Sequence, residues 1–212
     1  MRPQLLAELS RWQAMRSQPA TAQIGSPTPG SQDSYSNYGF IVLGRIIEAV
    51  SGQSYYAYVD EHILRPAGMT GTGFEPETVN VPQRAVAYTK KDGQWVRETK
   101  SLPWRGMSAG GGYSTVADMV KFAGALQSGK LVSPALLKQA TTAQNHKGWY
   151  GFGFVVQGEG REHQYGHEGG APGSNSAIVV LPAQGYVIVG LANVDPDAIG
   201  NVVNYIARRV PL

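Results

Sequence analysis

The 212 residues suffice for one large domain or two small ones with a real core, and 42% hydrophobic against 16% charged residues is the balance of a globular chain. The 18 Lys and Arg against 15 Asp and Glu leave a net charge of +3, scattered along the chain rather than gathered into the basic stripe that a nucleic-acid surface needs. No cysteine is present, so disulfides, zinc–thiolate sites and a Cys nucleophile are excluded, and no run of about 18 apolar residues exists to span a membrane.

Pro3 to Arg16 reads as a helix, with proline near the first turn and Leu5, Leu9 and Trp12 on one face. Residues 17–33 form a Pro/Gly/Ser loop. Asn37 to Val50 is a strong helix with an apolar stripe at Ile41, Val42, Ile46 and Val50, and Gly52 suits a left-handed cap. Ser54 caps a next helix over about 55–64, which Pro66 stops. Residues 84–98 read as a hairpin turning at Lys91-Asp92-Gly93.

Gly110-Gly111-Gly112 is a joint, after which Ser114 or Thr115 caps a helix to about Gln127, and Ser133-Pro134 opens another. Beyond Trp149 come four strand-like runs, GFGFVVQ, EHQYGH, SNSAIVVLP and GYVIVGLAN, separated by Gly/Pro turns. Asp195-Pro196 caps a last helix to about Arg209, with Ile199, Val202, Val203 and Ile206 apolar. Helices, then meandering strands, then one helix predict an α+β fold with an antiparallel sheet. Residues 1–145 form the mainly helical part, and residues 146–212 supply the strands and a C-terminal packing helix.

Two short motifs carry chemistry: Tyr35-Ser36-Asn37 and, 130 residues on, His167-Glu168-Gly169-Gly170. With their flanks (YSNYGFIVLGRIIEAVSG, SAGGGYSTVADMVKFAGAL, WYGFGF and YGHEGGAPGSNSAIVVLP) they resemble the class C β-lactamases and esterase-like serine hydrolases, kin of the penicillin-binding D-Ala-D-Ala carboxypeptidases. The resemblance implies roles. Tyr35 matches the proton shuttle, and Asn37 aims its amide at the substrate carbonyl. His167, where many relatives carry Lys, bonds to the tyrosine or to substrate. Gly169 lets a substrate backbone approach, and the Gly170 N–H is half of an oxyanion hole. Ser36 reads as a helix cap. His62, His146 and His163 lack metal-ligand spacing and read as surface or packing residues, and no metal or cofactor is expected.

The third motif of such sites is a Ser three residues before a Lys. The residues three before the seven lysines are Ala87, Tyr88, Arg97, Asp118, Gln127, Ala135 and Gln144, so no lysine qualifies. The resemblance therefore implies the C-terminal portion of a family member, without its nucleophile and first strands. It implies little hydrolysis of β-lactams, D-Ala peptides or small esters by this chain itself, and a homodimer through a bared strand edge. Two alternatives stand beside it. One is a non-catalytic module that binds a small molecule or peptide in the same cleft. The other is an esterase using Ser108, because Gly106-Met107-Ser108-Ala109-Gly110 fits G-x-S-x-G and Ser108, Asp118 and His167 follow triad order.

Overall fold

The computed structural model describes residue 28, residues 31–98 and residues 100–211. The chain divides into two compact units, Met1–Ser34 and Tyr35–Leu212, and every helix and strand described below lies in the second. The helix expected over Pro3–Arg16, and nearly all of the loop after it, lie outside the described residues.

Helix α1, Asn37–Ser51, is capped by Ser36, whose side chain accepts from the Gly39 N–H at 3.3 Å. Gly52 closes it at φ 70, a left-handed conformation that suits glycine. The expected stripe is not the buried face. Val42, Ile46 and Val50 are exposed, whereas Gly44 is buried. The reason is steric: a Cβ on Gly44 would lie 2.3 Å from the Ser108 hydroxyl, so the missing side chain is what lets the Ser108 turn press against the helix there. The covered face thus runs through Phe40, Ile41, Gly44 and Ile47, at the same helical period but rotated.

Ser54 caps α2, Tyr55–Val59, as expected, but Pro66 does not end the run. A π-helical turn, Asp60–Leu64, leads into α3, Arg65–Ala67, and Gly68 closes it at φ 72. Proline in a regular helix clashes with the carbonyl four residues back. The wider π turn, with the Arg65 N–H donating to the Asp60 oxygen, carries the chain past that conflict. Val59, Leu64, Ala67 and Met69 then bury against Ala125 of α4, Val116–Gln127. Of the two candidate caps of α4, Thr115 is the one used, accepting from the Asp118 N–H at 3.1 Å. Helix α5, Pro134–Ala140, follows its Ser133 cap.

The hairpin pairs β1, Tyr88–Lys91, with β2, Gln94–Arg97. Asp92 and Gly93 both have positive φ, the two-residue turn that matches strand twist. The four runs after Trp149 form one antiparallel sheet in the order β3 (Val155–Gln157), β4 (Gln164–Ala171), β5 (Ser174–Leu181) and β6 (Tyr186–Ala192). Ala123 of α4, Tyr165 and Val180 form its core, with Phe154 and Val187 packed beside them.

Helix α6, Ala198–Ala207, packs on β5 and β6. It buries Gly200, Val203 and Ala207, while Val202 and Ile206 of the expected apolar set are exposed. Asp195 is not its cap. The carboxylate instead accepts from the Lys90 and Gly173 N–H groups, both at 2.8 Å, joining the hairpin to the β4–β5 turn.

A buried polar knot forms at Asp118, only 2% exposed. Its carboxylate accepts from the Gly71 N–H (2.7 Å), the Thr72 hydroxyl (2.9 Å) and the Lys121 ammonium (2.8 Å). Burial pushes its pKa up, but Lys121, Gly71 and Thr72 together outweigh burial and hold it below the usual carboxylate range. A carboxyl lowered by folding adds stability that is complete above its unfolded value, near 4, and lost as pH falls below that through the folded one. We expect Asp118→Asn to lower the melting temperature at neutral pH and to flatten its fall below about pH 4. Unfolding curves for both proteins across that range test this, and superimposable acid slopes would refute it.

Candidate active site

Tyr35 stands just before the cap of α1 and is 52% exposed. Its ring lies 6.1 Å from that of His167 on β4 and 6.0 Å from that of Tyr150, which it meets edge-on at 77°. The Tyr150 hydroxyl reaches His167 Nε2 at 2.9 Å, and His167 Nδ1 lies 2.6 Å from the Glu168 main-chain oxygen. These three side chains, with Trp149, Tyr165 and Glu168, line a pocket of about 300 Å³.

Residues far apart in sequence meet here because each is fixed locally. Tyr150 is set by Asn145, whose side-chain oxygen accepts from the Trp149 and Tyr150 N–H groups at 2.9 and 2.8 Å. Burial first, then the proximity of Tyr35, pushes its phenol up to about 12, so it stays protonated at neutral pH. His167 is set by β4, which alternates side chains between two faces. The next residue, Glu168, therefore turns to α6, where its carboxylate accepts from Asn204 at 3.0 Å and Gly200 leaves room for it.

Packing calls for glycine at 170 and leaves 169 less constrained. A Cβ on Gly170 would lie 2.5 Å from Pro196, and one on Gly169 would lie 3.0 Å from the Ser176 hydroxyl. Strand β3 pairs only with Gln164 to Gly166, so from His167 to Ala171 the outer side of β4 has no strand partner among the described residues. Asn37 is exposed as the first residue of α1. Of the five residues expected in the site, the pocket wall takes Tyr35 and His167, but not Asn37, Gly169 or Gly170.

Ser108 lies elsewhere, in a tight turn closed by paired Met107 and Gly110 backbones. Among the described residues no strand leads into it, and α4 begins only at Val116, so the strand–turn–helix setting of a nucleophile elbow is not found there. Asp118 is committed to Lys121 and the 71–72 loop, and His167 to Tyr150. The His62 ring lies 4.3 Å from that of Tyr58, tilted by 45°, and His163 lies 6.2 Å from Tyr165. Among the described residues no cluster of three or more His, Cys, Asp or Glu could hold a metal.

Two residues escape a sequence reading. Tyr150 sits inside WYGFGF, and nothing in that run marks it as the partner of His167. Asn175 looks like an ordinary strand residue, yet it is buried with its Nδ2 donating to the Gly169 oxygen (3.0 Å) and its Oδ1 accepting from the Ile199 N–H (2.7 Å).

Comparison with known proteins bears on the family and the fold. The family described as Beta-lactamase matches residues 1–210. The chain is 33% identical over 181 residues to the Bacillus subtilis (strain 168) protein named as a penicillin-binding protein, PbpX, covering 84% of this chain and 44% of that one. It is 27% identical over 201 residues to an Escherichia coli O157:H7 protein named as a D-alanyl-D-alanine carboxypeptidase, covering 78% and 46%. A crystal structure of a penicillin-binding protein from Bacillus halodurans superposes with a TM-score of 0.78 at 27% identity, over 86% of this chain and 58% of that one. The chain thus spans less than half the length of the two curated relatives. It belongs to the β-lactamase family, and its fold is theirs.

The Asn175 bridge sets an expectation. Truncation in Asn175→Ala leaves the Gly169 carbonyl and the Ile199 N–H without their partner, which costs about 2–3 kcal/mol. Urea unfolding measures this directly, and an unchanged midpoint would show that neither bond matters.

Proposed function

Starting from that membership, we propose that this chain carries the substrate-facing side of a serine acyl-transfer site acting on β-lactams, D-Ala peptides or small esters. The observation that carries the reading is the convergence of Tyr35, Tyr150 and His167 on one pocket beside the unpartnered side of β4. In this chemistry a serine oxygen adds to the substrate carbonyl carbon while its proton passes to a base. N–H donors hold the resulting oxyanion, and the C–N or C–O bond breaks as the leaving group takes up the proton. Water then releases the acid. On this reading Tyr35 and His167 handle protons, Asn37 holds the substrate amide or acyl group, Gly169 admits the substrate backbone, and the Gly170 N–H serves the oxyanion.

Because no Ser or Thr stands three residues before any lysine, the nucleophile has to come from outside these 212 residues. Loss of a nucleophile alone costs roughly 10⁶ in kcat. The isolated chain is therefore expected to bind ligand and not to turn it over. Intact-mass measurement after incubation with a labelled penicillin and with a fluorophosphonate should show no adduct. Calorimetry with a D-Ala-D-Ala peptide should show millimolar binding that His167→Ala weakens. A stable adduct would place a working nucleophile inside this chain, with Ser108→Ala as the first variant to try. Absence of heat would remove the binding reading.

A partner surface accompanies this reading. Strand β6 has no described strand on its outer side, carries neither charge nor proline, and exposes Tyr186 and Leu191. Such an edge recruits another strand, and a second copy of this chain is the occupant proposed. Light scattering is expected to show dimers or larger species that Leu191→Lys disperses. A monomer at high concentration would rule this out.

A further inference from the structure

The imidazole of His167 has both nitrogens engaged, and the two contacts differ in kind. A main-chain carbonyl oxygen can only accept, so the 2.6 Å contact to Glu168 requires a hydrogen on Nδ1. In the neutral ring Nε2 is then a bare lone pair, and the Tyr150 hydroxyl at 2.9 Å must be its donor. We propose that Tyr150 is a positioning residue for His167, fixing its ring plane and its Nδ1–H tautomer through a hydroxyl donated to Nε2. The inference rests on the site reading above for its catalytic meaning, but not for its geometry.

Three observations support a dedicated role. Tyr150 is held by its own anchors, the Asn145 side chain and a backbone bond from the Gln144 N–H at 2.8 Å, so its hydroxyl is aimed before any ligand arrives. It meets Tyr35 and His167 edge-on, at 77° and 82°, and so packs against both rings, which themselves lie 6.1 Å apart. Its phenol remains protonated across the whole range in which a histidine titrates, because burial and Tyr35 push it to about 12. A neutral phenol donates to the bare nitrogen of imidazole and accepts from the N–H of imidazolium. His167 therefore keeps the same partner in both protonation states, and its ring need not turn when a proton arrives or leaves.

The test is made on the full 212-residue chain without substrate. Long-range ¹⁵N–¹H correlation on uniformly ¹⁵N-labelled protein reports which nitrogen of each neutral imidazole carries hydrogen. The signals of His167 are identified by their loss in His167→Gln. The expected result is a protonated Nδ1 and a bare Nε2. Tyr150→Phe retains the ring that packs edge-on against Trp149. Loss of one ordinary hydrogen bond should shift the His167 tautomer ratio about fivefold toward Nε2–H. A role in packing alone would leave that ratio unchanged in the Phe variant, and such a result overturns the proposal. So does a wild-type Nε2–H tautomer, whether or not the variant folds. Neither outcome depends on turnover, so failure here is separable from failure of the acyl-transfer reading.

Discussion

The carboxamide of Asn175 holds the site strand and the last helix in one frame. It sits opposite Gly170 in the β4–β5 ladder, is buried, and spends its donor on Gly169 and its acceptor on Ile199. Helix α6 needs that acceptor, because Asp197 at its cap position makes no side-chain bond to the first turn. Strand β4 needs the donor, because beyond Gly166 it has no strand on its outer side among the described residues. Pro196 fills the space over Gly170, and Asp195 fastens the β4–β5 turn to the hairpin. Residues 195–197 and Asn175 thus fix the far end of β4, and with it the register of every side chain on the strand.

Register matters here because the period of a strand is two. His167 and Glu168 are neighbours with opposite errands: one bonds to Tyr150 beside Tyr35, the other binds Asn204 and fills the space that Gly200 leaves. A slip of one residue would exchange them, placing a carboxylate against Tyr150 and an imidazole against α6. The Glu168–Asn204 bond on one face and the Tyr150–His167 bond on the other exclude that alternative from both sides.

Much of this was legible in the sequence where the signal is local. Ser36, Ser54, Thr115 and Ser133 cap the helices they precede, Asp92-Gly93 makes the hairpin turn, and the four strand-like runs become four strands. What misled was tertiary. A helical period cannot say which apolar residues meet a neighbour, so the face through Gly44 took the contact while Val42, Ile46 and Val50 stayed bare. Pro66 signals a stop in an α-helix but not after a π turn. Short motifs could point to Tyr35 and His167, yet Tyr150 and Asn175 gain their meaning from partners 17 and 24 residues away. The G-x-S-x-G pattern shows the converse error, because five residues matched while the strand and helix that give the pattern its mechanics are not there.

The bare face of α1 bears on the site itself. Tyr38, Val42, Ile46 and Val50 recur every four residues along one side, all exposed, on a helix whose cap follows directly after Tyr35. Apolar area left in water forgoes about 25 cal/mol for each Å² that a partner could cover, so this side favours whatever polypeptide can lie along it. On the acyl-transfer reading the pocket lacks an oxygen nucleophile, and Tyr35 is where that oxygen would have to arrive. A polypeptide covering α1 would run to that same point. On that reading one added segment would serve both the pocket and the exposed apolar side of α1. That is why the nucleophile is better sought on a segment that packs against α1 than on the Ser108 turn, which already presses on the opposite side of the helix at Gly44.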